Sequence, residues 1–205
     1  MYHRGMRPSH SGEVTVFILA GGKSTRMGTD KAFVEYEGRT LLARVLDVAR
    51  SVSSKVEIVG NREKFAPFAS VVEDIFRECG PLGGIHAALL SSTTDLNLVL
   101  AADMPFVSWA FLDHLITHAR KAPEATVVVP RAQGKSQPLC AVYRKEFIAT
   151  AETALRAGEY KIDRLFTVVR TRVITEEELE AAGFSVALFS NLNTPEELKA
   201  ATRKD

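Results

Sequence analysis

The sequence predicts a three-layer α/β/α sandwich around a mainly parallel sheet, on three observations. Short apolar runs rich in Val, Ile and Leu, of the kind that strands buried on both faces require, recur along the 205 residues. They alternate with stretches of helical periodicity, and strands spaced by helices imply parallel neighbours joined by right-handed crossovers. Glycines, carboxylates and cations gather where the apolar runs end, and in open sheets of this kind ligands lie beyond the carboxyl ends of the strands.

Val14–Leu19 is the first apolar run and reads as a buried strand. It breaks into Ala20-Gly21-Gly22-Lys23-Ser24-Thr25-Arg26-Met27-Gly28-Thr29-Asp30-Lys31. Gly21 and Gly22 let the backbone turn sharply and approach a ligand, and successive N–H groups in such a turn form an anion-binding concavity. Lys23, Arg26 and Lys31 add charge, Arg as a rigid fork and Lys as a mobile point charge, a set that fits a polyphosphate. Two familiar phosphate loops are excluded. A Walker A reading of Gly22-Lys23-Ser24 puts its first glycine on Phe17, and one of Gly134-Lys135-Ser136 puts it on Val129. No G-x-G-x-x-G follows a strand, which removes the usual support for a dinucleotide-binding dehydrogenase.

Further along, residues 33–38 form a short extended piece with a turn, and Thr40 caps a helix running to residue 51. Lys55–Val59 is the next strand, a helical turn at 62–66 stops before Pro67, and Ser70–Val72 is a brief strand. Gly80-Pro81-Leu82-Gly83-Gly84 opens a helix to residue 91, with Pro81 in its first turn. A buried strand follows at 97–101, a helix at 108–120, a strand at 125–129 and a basic loop at 131–137. The remainder reads as strand 139–143, helices 145–156 and 160–166, strand 168–174, helix 176–182, strand 186–189 and helix 194–201.

The length suits one well-buried domain, and 46% hydrophobic with 25% charged residues is an ordinary globular composition. Net charge is +1 from 26 basic and 25 acidic side chains with no long block of one sign, so neither a nucleic-acid nor a membrane surface is expected and anion binding must be local. Cys79 and Cys140 have no CxxC or disulfide-framework spacing and read as reduced, structural thiols of a cytoplasmic protein. Residues 1–12 are polar, lack the apolar core of a signal peptide and read as a disordered lead-in to a single domain at 13–205.

Several residues carry both a chemical and a plain structural reading. Asp103 stands at the mouth of a buried strand and could hold Mg²⁺, which needs few protein ligands when phosphates and water supply the rest; it could also be a turn or cap aspartate. Asp74, near another strand end, could accept hydrogen bonds from a nucleobase edge or ribose, or be a solvated loop acid. Asn61 suits a base or a turn equally. Gly80-Pro81-Leu82-Gly83-Gly84 could aim backbone N–H groups at a ligand, or simply start a helix. His114 and His118 share a helix face without a third metal ligand and read as ordinary histidines, as does His86. Thr194, Pro195 and Glu197 are a complete helix start, which leaves Asn191 and Asn193 without a structural reason.

The run LAGGKSTRMGTDKA resembles the signature loop of nucleotidyltransferases related to sugar-phosphate nucleotidylyltransferases. In detail, with VGNR, VEDI, GPLGGI, AADMPF, SQPLCAVY and NLNTPEEL in the same order, it resembles the molybdenum cofactor guanylyltransferase family, also called molybdopterin-guanine dinucleotide biosynthesis protein A. The blocks run from about Val14 to Leu198. LAGG and GPLGGI look more like the guanylyl than the cytidylyl branch.

The resemblance implies a Rossmann-like fold of the nucleotide-diphospho-sugar transferase type and a cytoplasmic enzyme. It implies GMP transfer from GTP to the phosphate of molybdenum-molybdopterin with release of pyrophosphate. Leu19, Ala20, Gly21, Gly22 and Lys31 would bind GTP, with Arg26 at the triphosphate, Asn61 and Asp74 at the guanosine and Asp103 on Mg²⁺. Arg26, Lys31 and Asp103 would carry catalysis. Gln137, Pro138, Asn191 and Asn193 would face the pterin substrate or the metal, and transient contacts with cofactor-synthesis proteins and recipient apoenzymes are expected. A cytidylyltransferase, a sugar-phosphate nucleotidylyltransferase and a noncatalytic pterin or nucleotide carrier are the alternatives.

Overall fold

The structure, a computed structural model, describes residues 14–21 and 31–190. The lead-in at 1–12, Gly22, Lys23, Arg26, Asn191, Asn193 and the helix expected at 194–201 lie outside the described residues.

The chain begins with β1 (Val14–Leu19). A 3-10 turn (Lys31–Phe33) leads to the small antiparallel hairpin β2 (Glu35–Tyr36) and β3 (Arg39–Thr40), then α1 (Leu41–Val52), β4 (Lys55–Val59), α2 (Arg62–Phe65), β5 (Ser70–Val72), α3 (Pro81–Ser91) and β6 (Leu96–Ala101). The second half runs α4 (Trp109–Lys121), β7 (Val127–Ala132), β8 (Lys135–Ser136), β9 (Cys140–Tyr143), α5 (Phe147–Arg156), α6 (Ile162–Leu165), β10 (Thr171–Ile174), α7 (Glu176–Ala181) and a closing 3-10 turn (Val186–Phe189).

The main sheet has the order β10-β7-β9-β6-β1-β4-β5, with β8 paired to β7. β4, β1 and β6 are parallel neighbours, as are β4 with β5 and β7 with β10; β9 runs antiparallel between β6 and β7. The chain leaves β1 toward β4 and β5 on one side and returns to β6 on the other, so the strand order reverses at β1. That reversal opens a crevice at the carboxyl ends of β1 and β6.

Two apolar layers cover the sheet. Val14, Val16, Ile18, Leu98, Leu100 and Val128 pack against α1 and α4 through Leu42, Leu46, Phe111, Leu112 and Leu115. On the other face Val99, Val127, Val129 and Tyr143 pack against Leu82, Ile85 and Leu89 of α3 and Phe147 and Ala151 of α5. Helix starts follow capping chemistry. Thr40 accepts from Ala43 N–H at 3.2 Å, and Thr175 with Glu178 forms a reciprocal capping box at α7.

Two expectations are corrected. Residues 186–189 form a 3-10 turn, not a strand: Ser185 accepts from Ala187 N–H at 3.2 Å, and Phe189 and Phe184 fold onto Phe111 instead of meeting a sheet edge. The basic loop at 131–137 is a hairpin. β7 continues through Pro130 to Ala132, and Gln133 (φ 53°) with Gly134 (φ 71°) turns the chain back into β8.

Buried polar groups at the amino-end pole of the sheet are satisfied. Thr15 and Thr94 share a 2.8 Å hydroxyl contact, Ser53 donates to Val14 O at 2.7 Å, and the Asn97 amide donates to three carbonyls. That pole is scaffold.

Burial holds His86, His114 and His118 below the usual imidazole range; the rings of His114 and His118 lie 4.5 Å apart. A depressed imidazole pKa means that the fold binds fewer protons than the unfolded chain. Stability is therefore complete above about pH 6.5 and falls as the pH drops through that value toward the folded-state values. The melting temperature is expected to fall between pH 7.5 and 5, and less steeply in a His114→Gln, His118→Gln double variant.

Candidate active site

The strand ends build the site. Leu19 O accepts from Ala102 N–H at 3.1 Å and Ala20 N–H donates to Val59 O at 3.0 Å, so the ladder continues one residue past β1 on both sides and fixes the direction in which residues 20 and 21 leave the sheet. Around that exit Leu19, Ala20, Gly21, Lys31, Ala32, Val59, Asp74, Gly80, Pro81, Gly84, Ala101, Ala102, Asp103 and Leu139 line one cleft. Of the expected residues within the described part, Leu19, Ala20, Gly21, Lys31, Asp74 and Asp103 therefore meet in one place, although they come from four separate segments.

Charge is divided along the cleft. At one end Lys31 Nζ lies 3.7 Å from Asp103 Oδ2, both side chains about a quarter exposed. The pair joins the 3-10 turn to the end of β6 and offers a cation and a carboxylate to an entering group. At the other end stands Asp74. Its Oδ1 is enclosed and has no hydrogen-bond partner, and burial pushes its carboxyl above the usual carboxylate range. An orphaned carboxylate oxygen in a cleft wall contrasts with the satisfied polar groups of the opposite pole; a ligand N–H would complete it.

Backbone geometry agrees. A Cβ at Gly84 would come within 3.2 Å of Leu19 Cδ2, so the glycine lets α3 approach the cleft floor. A Cβ at Gly21 would meet nothing nearer than Gly60 Cα at 4.0 Å. The described protein therefore does not itself demand glycine at 21, whereas a ligand lying against that backbone would. The first turn of α3, entered through Gly80 and Pro81, presents N–H groups to the same cleft.

Two expected residues sit elsewhere. Asn61 is exposed and caps α2, its Oδ1 accepting from Lys64 N–H at 3.0 Å, and it is not among the cleft-lining residues. Gln137 braces the β7–β8 hairpin, its amide donating to Ala132 O and Lys135 O at 3.4 Å each. Pro138 adjoins Leu139 at the cleft edge, and its carbonyl accepts from Tyr143 Oη at 2.8 Å. Ala32, Val59, Ala101, Ala102 and Leu139 line the cleft without having been singled out. Being small or apolar, they carry no chemical signal, and only their position at strand ends or beside Lys31 could have marked them.

The residues also fit a divalent ion of one particular kind. No group of three or more His, Cys, Asp or Glu side chains suited to a metal occurs among the described residues, so they make no self-sufficient metal centre. One carboxylate at the phosphate end, Asp103, suits an ion that arrives with most of its shell supplied by phosphates and water.

An open α/β/α sheet with a glycine-lined cleft at its switch point, a lysine–aspartate pair at one end and an orphaned acceptor at the other, defines a nucleotide-binding enzyme. Residues 16–179 match the MobA-like NTP transferase domain, and the chain belongs to that family of nucleotidyltransferases.

Its relatives agree over nearly the full length. The probable molybdenum cofactor guanylyltransferase of Pelotomaculum thermopropionicum is 37% identical over 191 residues, 92% of each chain. The molybdenum cofactor guanylyltransferase of Desulfosudis oleivorans is 36% identical over 92% of this chain and 94% of its own. The crystal structure of molybdopterin-guanine dinucleotide biosynthesis protein A from Archaeoglobus fulgidus superposes with a TM-score of 0.79 at 30% identity, covering 91% of this chain and 96% of that one.

Proposed function

We propose that the protein transfers GMP from GTP to the terminal phosphate of molybdenum-molybdopterin, releasing pyrophosphate and forming the guanine dinucleotide cofactor. The observation that carries the nucleotide choice is Asp74. A carboxylate accepts only, and guanine offers two adjacent donors, N1–H and the 2-amino group, where cytosine and adenine offer a single amino group on that edge. The family and the relatives' names support the acceptor.

The base would lie between Asp74 and the first turn of α3, with the ribose over Leu19 to Gly21 and the triphosphate running toward Lys31 and Asp103. Lys31 is placed to exchange its contact with Asp103 for one with the entering phosphates. Asp103 would hold Mg²⁺ on the nucleotide, and the ion would neutralise triphosphate charge there. The acceptor is itself an anionic phosphate. Its oxygen attacks the α-phosphorus, one P–O bond forms, the bond to the bridging oxygen breaks, and pyrophosphate leaves with the electron pair. No serine, cysteine or histidine nucleophile is required, and the chain's contribution is alignment and charge.

Arg26 and Gly22 at the triphosphate, Asn61 at the guanosine, and Asn191 and Asn193 toward the pterin are roles that rest on the resemblance of their blocks. Both cysteines are free thiols, Cys140 buried, which suits the proposed cytoplasmic setting. Among the described residues no helix is long and apolar enough to cross a membrane. The relatives' activity also suggests transient contacts with cofactor-synthesis proteins and recipient apoenzymes.

Product analysis tests the reading. Label in the α-phosphate of GTP should move to the pterin, and label in the γ-phosphate should appear only in pyrophosphate. Retention of both labels in GTP would refute it.

A further inference from the structure

Beyond the nucleotide cleft the carboxyl-end rim of the sheet continues across β9 to β7, and a cation stands there. Leu98 pairs with Val142, and Val142 with Val128, so the parallel strands β6 and β7 keep step. Three residues further along each, Ala101 and Arg131 are level. Two inter-strand spacings separate their backbones by about 10 Å.

Side-chain alternation sets the face. Val127 and Val129 pack with Val99, Leu82 and Ile85 under α3 and α5, so Arg131 belongs to that face, whereas Ala132 turns into the opposite layer. α3 is the helix whose first turn walls the nucleotide cleft. Leu139 lies between, lining the cleft while its carbonyl accepts from Ala101 N–H at 2.8 Å.

The mounting of Arg131 is stiff. Gly134 N–H, at the hairpin tip, donates to Glu176 Oε1 at 2.8 Å, the Gln137 amide bridges the two strands, and Gln137 N–H donates to Pro130 O at 2.9 Å. The Arg131 side chain itself is exposed and makes no ion pair or hydrogen bond among the described residues. Lys135, paired with Ala132, points to the other face and does not share the position.

We infer that Arg131 is the acceptor-side anchor, binding the anionic oxo-metal dithiolene of the pterin while the acceptor's phosphate reaches the nucleotide beside Asp103. The inference rests on the guanylyl-transfer reading. Arg131 is too far from Asp103 to meet the attacking phosphate directly, but it is placed to meet a second anionic group on the same elongated molecule. A guanidinium fork suits paired oxygen or sulfur acceptors of fixed geometry.

The test is steady-state kinetics of Arg131→Gln and Arg131→Lys with GTP, using molybdenum-loaded and metal-free molybdopterin as acceptors. For Arg131→Gln the KM for the loaded acceptor should rise at least tenfold, with kcat and the KM for GTP within twofold. Lysine should recover part of the loss, and the metal-free acceptor should show a smaller rise. An unchanged acceptor KM, a parallel rise in the KM for GTP, or an equal rise with the metal-free acceptor would each overturn the assignment. If the wild-type protein binds GTP but transfers no GMP to either acceptor, the functional reading fails and the inference falls with it.

Discussion

Asp103→Ala is expected to lower kcat for guanylyl transfer by about 10²- to 10³-fold, about 3 to 4 kcal/mol of barrier, while GTP binding changes far less. The asymmetry follows from the pair it forms. Removing the carboxylate eliminates the one acid at the phosphate end of the cleft, where Mg²⁺ would be held, yet it leaves Lys31 in place to attract the triphosphate. The fold should tolerate the change, because a partly exposed ion pair at 3.7 Å contributes at most about 1 kcal/mol. Steady-state kinetics with an unchanged melting temperature would separate this outcome from unfolding. Near-normal turnover in the variant would remove Asp103 from the reaction.

Asp74→Asn is expected to weaken GTP binding by about 30-fold, about 2 kcal/mol, and to erase most of the preference for GTP over ATP and CTP. The carboxylate accepts two donors from guanine. The amide keeps one acceptor and adds a donor that faces guanine's own.

The same substitution should leave the melting temperature at pH 7 unchanged or raise it. Burial raises the folded-state pKa of Asp74, so ionising it opposes folding; that cost is absent below the unfolded value of about 3.8, appears as the pH rises through the folded value, and is removed in the asparagine variant. Ligand binding by ionised Asp74 should fade on acidification, starting above the ordinary carboxylate range, and this component should be missing from the variant. A fall in stability at pH 7 with GTP affinity intact would make Asp74 a structural residue.

The sheet and its site were legible because both are written at strand ends. Long apolar runs such as Val14–Leu19 could only be buried strands, and whatever followed them had to lie on the ligand side of an α/β sheet. That logic reached Gly21, Lys31, Asp74 and Asp103 from separate segments. It could not settle Asn61, since capping a helix and addressing a base ask for the same amide, and here the Oδ1 caps. Nor could it settle Gln137, whose amide ties a hairpin that was read as a loop because Pro130 looked like the end of a strand. The strand runs on through Pro130, whose carbonyl still accepts from Gln137 N–H although its nitrogen cannot donate. Residues 186–189 misled in the other direction. A four-residue apolar run has no periodicity that distinguishes a strand from a 3-10 turn, and the preceding Ser185 cap decides it. Leu139 and Ala32 were invisible, being ordinary core residues whose importance is purely positional.

The central claim, that this cleft selects GTP and transfers its nucleotidyl group to a pterin phosphate, is tested most directly by pyrophosphate release with GTP, CTP and ATP in parallel. The assay would contain molybdenum-loaded molybdopterin, Mg²⁺ and an Asp103→Ala control. The account predicts release with GTP, little with CTP or ATP, and loss of release in the variant. Preferential release with CTP, or GTP binding with no release from any nucleotide, would contradict it.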